Sequence, residues 1–240
     1  GGLHHRPRAK RVIQFFMGGA ASHLDLFDFK PDLVKYDGKP SNFGEHVEAF
    51  QDGLGPWLKP VWEFRPYGQC GKLLSEPVSP LGAVADEIAF IHNLTSTSGV
   101  HSNATLLQST GFQLPGFPGA GCWVSYALGT LNENLPAFVV LPDHRGYASN
   151  GVKNWDAGFL PSQYSGTVVQ PAADEPLADL RPHSAGSFVT GSSDAAARDL
   201  IGRLNRRHME DRVGDSRLEA RIQSYELAAK MQMAAPEALG

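Results

Sequence analysis

Apolar positions form short continuous runs over the first two thirds of the chain and helical stripes over the last third. Three runs are rich in β-branched or aromatic residues and bounded by turn formers, the pattern of buried strands: Arg11-Val12-Ile13-Gln14-Phe15-Phe16-Met17, Glu87 to Asn93, and Leu135-Pro136-Ala137-Phe138-Val139-Val140-Leu141. Between the last two, Asn103 to Ser109 reads as a short helix closed by Gly111, and Trp123 to Leu128 as another with Gly129 as its left-handed cap. Strand, loop, helix, strand is the order of parallel βαβ units, so the predicted fold class is α/β, a mostly parallel sheet flanked by helices. Lys30 to Pro80 is rich in Gly, Pro and aromatics without clear periodicity, and is predicted as an irregular excursion with one or two short helices.

Two helices are predicted in the last third. Ser193-Asp194 caps the first, whose Ala197, Leu200, Ile201 and Leu204 recur at the three-and-four spacing of one face. Ser216 and Glu219 have capping-box spacing for the second, which carries Leu218, Ile222, Tyr225 and Ala229 until Pro236 breaks the pattern. Both stripes are expected to face a core.

Composition narrows the function. A chain of 240 residues can bury one core, and the expectation is a flexible tail over 1–10 and a domain over 11–240. The net charge of −4 comes from interspersed acids and bases, which leaves no basic face for nucleic acid. No apolar run approaches the roughly 20 residues of a transmembrane segment. Oligomeric state has no signature here. The polar start at Gly1, without an initiator Met, fits a tail left after removal of an export signal, and Ala234 to Gly240 reads as a helix start where a complete domain rarely ends. Cys70 and Cys122 are too far apart for a zinc-type pair and read either as two free thiols or as a disulfide in an oxidising compartment.

Candidate chemistry lies in loops after strand ends, where α/β sheets place their ligands. The loop Gly18 to Asp28 brings Ser22, His23, Asp25 and Asp28 together, oxygen and nitrogen donors that suit zinc, calcium, magnesium or manganese; alternatively Ser22 and Asp25 cap a turn. The loop Asn93 to Asn103 puts Ser96, Thr97, Ser98 and His101 before a helix amino end, a place for an anion and a nucleophilic hydroxyl, or a set of turn formers and caps. Asp143-His144-Arg145 follows the third run, as a metal or anion contact or as a solvated turn with an Asp–Arg pair. Asn154 to Tyr164 mixes aromatics and amides that wall a pocket or fill the core edge.

Four ordered blocks, Arg11 to Pro31, Gly121 to Pro142, Asn154 to Tyr164 and Leu218 to Glu237, resemble domain of unknown function 1501, a bacterial family related to sulfatases within the alkaline phosphatase superfamily. The resemblance covers nearly the whole chain. It implies an exported, periplasmic or secreted protein, an alkaline phosphatase- and sulfatase-like fold incomplete at the carboxyl end, and a divalent metal. The implied activity is metal-dependent hydrolysis of a sulfate or phosphate ester, on a small molecule or a polysaccharide. Carried onto this sequence, it makes Asp25, Asp28 and His101 metal contacts, one of Ser96, Thr97 and Ser98 the nucleophile, and Ser22, His23, Asp143, His144 and Arg145 substrate contacts. Three departures stand beside it: Gly18-Gly19 occupy the place of an Asp after the first strand, no Cys-x-Pro-x-Arg is present, and Val100 precedes His101 where relatives show Asn. A non-catalytic envelope- or carbohydrate-binding scaffold is the alternative reading.

Overall fold

The computed structural model describes residues 8–44, 47, 53–132, 134–178 and 190–239. Residues 1–7 of the expected tail lie outside these. The chain divides into two compact units, Gly1–Thr95 and Ser96–Gly240.

In the first unit, helices α1 (His23–Leu26) and α2 (Pro31–Tyr36) precede an antiparallel hairpin of β1 (Phe64–Tyr67) and β2 (Lys72–Ser75), which runs into a 3-10 segment, Glu76–Glu87. The hairpin turn is held from outside the strands. The Asp86 carboxylate accepts from the backbone N–H of Gln69 and of Cys70, both at 2.8 Å, and these two donors hold its carboxyl below the ordinary value. A Cβ on Gly68, whose φ is +67°, would stand 2.6 Å from Asp86 Oδ1, so the turn needs glycine for conformation and for space. Leu74, Ser75 and Ala85 form the buried centre.

The second unit contains α3 (His101–Thr110), α4 (Ala120–Leu128), a two-residue parallel pair of β3 (Val139–Val140) with β4 (Thr167–Val168), and the long helices α5 (Gly191–Glu210) and α6 (Ser216–Leu239). Gly111 closes α3 in the left-handed region, as its position in the sequence predicts. Gly129 ends α4 with positive φ but an extended ψ, so it is not the left-handed cap expected. Thr190 caps α5 by exchanging hydrogen bonds with Ser193. For α6 the cap is Asp215, whose Oδ1 accepts from the N–H of Arg217 and of Leu218. The helix continues through Pro236 to Leu239, so the expected break does not occur. Near a helix end a proline forfeits one hydrogen bond rather than a turn. Leu106, Cys122, Asn154, Ala157 and Ile222 are buried.

The mostly parallel, alkaline phosphatase- and sulfatase-like sheet flanked by helices is not formed. Two separate two-stranded sheets are present among the described residues. Val12 to Met17 pairs with nothing described and exposes Ile13 by 77% and Phe15 by 89%, Glu87 to Asn93 contains no strand, and Leu135 to Leu141 reduces to β3. Strand composition marks a segment able to enter a sheet; a ladder forms only where a neighbour supplies the opposite row of N–H and C=O groups.

No described helix is long and apolar enough to cross a membrane. Both cysteines are free: Cys70 is exposed at the hairpin turn, and Cys122 is buried in α4 with its Sγ donating to the carbonyls of Trp155 and Asp156. Burial pushes the Cys122 thiol pKa upward.

Candidate functional site

The hydroxyl loop of the second unit ends where Val100, extended at φ −79° and ψ 122°, turns into α3. No side chain caps this end, so the first-turn N–H groups face outward and concentrate positive potential there. The three hydroxyls ahead of it have different partners. Ser96 Oγ accepts from the N–H of Ser98 at 3.4 Å, and Ser98 Oγ accepts from the N–H of Val100 at 3.2 Å; both shape the turn. Thr97 Oγ1 instead accepts from Gln113 Nε2 at 2.8 Å, across the length of α3, which fixes its rotamer and leaves its own proton to donate. His101 opens the helix, and Asn150 Nδ2 ties the first turn down by donating to the Ser102 carbonyl at 2.7 Å. Gln113 escaped sequence reasoning because it lies beyond the helix cap, where no spacing rule links it to Thr97.

In the first unit, Ser22 Oγ donates to Asp25 Oδ2 at 2.6 Å, and the N–H of Val61 donates to Asp25 Oδ1 at 2.9 Å. Asp25 therefore ties Ser22, just ahead of α1, to a distant loop, and no side chain caps α1. Asp28 pairs with Lys30 at 2.9 Å and faces His92 Nδ1 at 3.8 Å. Burial pulls its carboxyl upward, but the hydrogen bond and charge of Lys30, with His92 and His23, outweigh this and hold it below the ordinary value. Lys72 Nζ lies 2.6 Å from His92 Nε2, donates to the Phe27 carbonyl at 2.8 Å and covers the Phe90 ring at 4.4 Å. Desolvation lowers the Lys72 pKa. Two nitrogens this close share a proton, so one of them offers a lone pair. Lys72 and His92 have no sequence signal; they meet because the chain after the 3-10 segment returns past β2.

Asp143, His144 and Arg145 form an exposed turn. Arg145 donates to both Asp143 oxygens, at 2.8 and 2.7 Å, and His144 Nδ1 lies 3.3 Å from the same carboxylate. These bonds drive the Asp143 carboxyl far below the ordinary value and raise Arg145. The pair satisfies itself, as expected of a solvated turn.

Of the metal contacts implied by resemblance, Asp25 and Asp28 belong to the first unit and His101 to the second. Both carboxylates already have protein partners, and among the described residues no three His, Cys, Asp or Glu side chains are gathered so as to hold a metal ion.

No curated protein and no solved structure matches the chain. One family model does, described as protein of unknown function (DUF1501); it matches residues 9–240, and the chain belongs to that family.

Proposed function

We propose that the chain hydrolyses sulfate or phosphate esters, with the ester anion at the amino end of α3 and Thr97 as nucleophile. The division of labour in the hydroxyl loop supports this: Ser96 and Ser98 accept from backbone N–H groups and shape the turn, while Thr97 takes no part in the turn and is oriented by the Gln113 side chain. The uncapped first turn of α3 supplies N–H donors and dipole for the charge that develops on the transferred group. In this reading Thr97 Oγ1 forms the bond to phosphorus or sulfur as His101 takes its proton, the ester oxygen leaves with the bonding pair and receives that proton, and water then cleaves the Thr97 ester to release phosphate or sulfate and restore the hydroxyl. The divalent metal implied by the resemblance is supplied in the assay. An exported location belongs to the same reading.

Turnover of 4-nitrophenyl phosphate and 4-nitrophenyl sulfate, with zinc, calcium, magnesium or manganese supplied, tests it. Thr97→Ala is expected to abolish turnover with an unchanged melting temperature, and Ser96→Ala and Ser98→Ala to keep most of it. Full activity in all three variants, or none in the parent, replaces the enzyme with the non-catalytic scaffold.

A further inference from the structure

A cleft of about 350 Å3 opens in the second unit between α4, the loop after it, the 3-10 turn Ser162–Tyr164 and α6. Its size falls in the range of about 300–1,000 Å3 typical of small-ligand sites. Gln223, Glu226, Leu227 and Lys230 line one side, and their steps of three and four place them on a single face of α6. That face is mostly polar, and the opposite charges of Glu226 and Lys230 leave it with no net charge. Across from it stand aromatic residues. Tyr126 and Tyr164 meet edge to face at 5.3 Å, and Tyr126 keeps half its surface exposed.

The lining selects a ligand class. An anion would need surplus positive charge, and here apolar residues such as Leu135, Phe138 and Leu227 share the lining with polar ones such as Ser125, Thr130 and Gln163. Amides and hydroxyls beside aromatic faces suit a molecule with apolar C–H surfaces and many groups that both donate and accept. Gln163 lines the cleft as well, and its Oε1 is buried without a partner. A ligand hydroxyl that draws this amide round would give the oxygen the bond it lacks.

We propose that this cleft binds a neutral carbohydrate, with a pyranose ring against Tyr126 and Tyr164 and ring hydroxyls on Gln163, Gln223, Glu226 and Lys230. The site is separate from the hydroxyl loop, and its readout is binding rather than turnover, so either reading can fail while the other stands. Isothermal titration of the full chain with maltose, cellobiose and N,N′-diacetylchitobiose tests it. Saturable binding of at least one is expected, with dissociation constants about tenfold weaker, or more, in Tyr126→Ala and in Gln223→Ala. Gln223 is exposed, so its truncation leaves the packing of α6 intact and keeps the test decisive should Tyr126→Ala unfold. No binding of any of the three at millimolar concentration, or affinity unchanged in Gln223→Ala, overturns the assignment.

Discussion

Leu74→Ala is expected to cost the first unit about 3 kcal/mol, because Leu74 has no exposed surface and β2 packs directly against the 3-10 segment that follows it. The substitution removes three carbon groups, and about 0.8 kcal/mol for each gives roughly 2.4 kcal/mol of lost transfer energy. The remainder comes from a cavity that only partly closes, at about 24 cal/mol per Å3. Its neighbour Leu73 is the internal control: it points to the other face and is 36% exposed, so truncation there leaves no sealed void and should cost about 1.5 kcal/mol. The chain has two units and a single unfolding transition cannot be assumed, so the measurement must be local. Hydrogen exchange by mass spectrometry on peptides spanning β1 and β2 reports the opening free energy of the hairpin directly. A cost for Leu74→Ala equal to or below that of Leu73→Ala refutes the placement of the core on that strand face.

Two further outcomes follow from close contacts. A Cβ on Gly121 would stand 2.5 Å from ring carbons of Phe138, so Gly121→Ala should lose about 1–3 kcal/mol in thermal unfolding, and Phe138→Leu in the same chain should recover part of it. The Asp86 carboxyl is depressed in the folded chain, so its contribution is present above the unfolded carboxyl value of about 3.9 and is lost as pH falls through the lower folded value; Asp86→Ala should erase this acid dependence in the exchange of the Gln69 and Cys70 amides.

Helices were the most legible elements, because a helix satisfies its backbone within one segment and its caps lie nearby. α3 and α4 begin within three residues of their predicted starts. Facing was less legible. Leu200, Ile201 and Leu204 are exposed at 49%, 55% and 57%, while Asp194, Arg198, Gly202, Asn205 and Met209 form the half-buried side of α5. The period identified the helix, but the neighbour decides which stripe is covered. Strands were least legible, since pairing lies in another segment. The hairpin was hidden by Pro66 inside β1, which an edge strand tolerates, although Gly68 and Gly71 bracketing its turn were a usable signal. At the candidate site the hydroxyls were readable from the loop itself, whereas the partners that distinguish them, Gln113 for Thr97 and Lys30 for Asp28, depend on side-chain direction.

The contrast between the two thiols gives the chain a natural attachment point. Cys70 sits exposed at the tip of a turn, whereas Cys122 is enclosed and its thiolate disfavoured by burial. A maleimide dye or spin label applied to the unaltered protein near neutral pH will therefore collect on the hairpin of the first unit, and a second label introduced in the other unit turns the pair into a ruler for the spacing of the two.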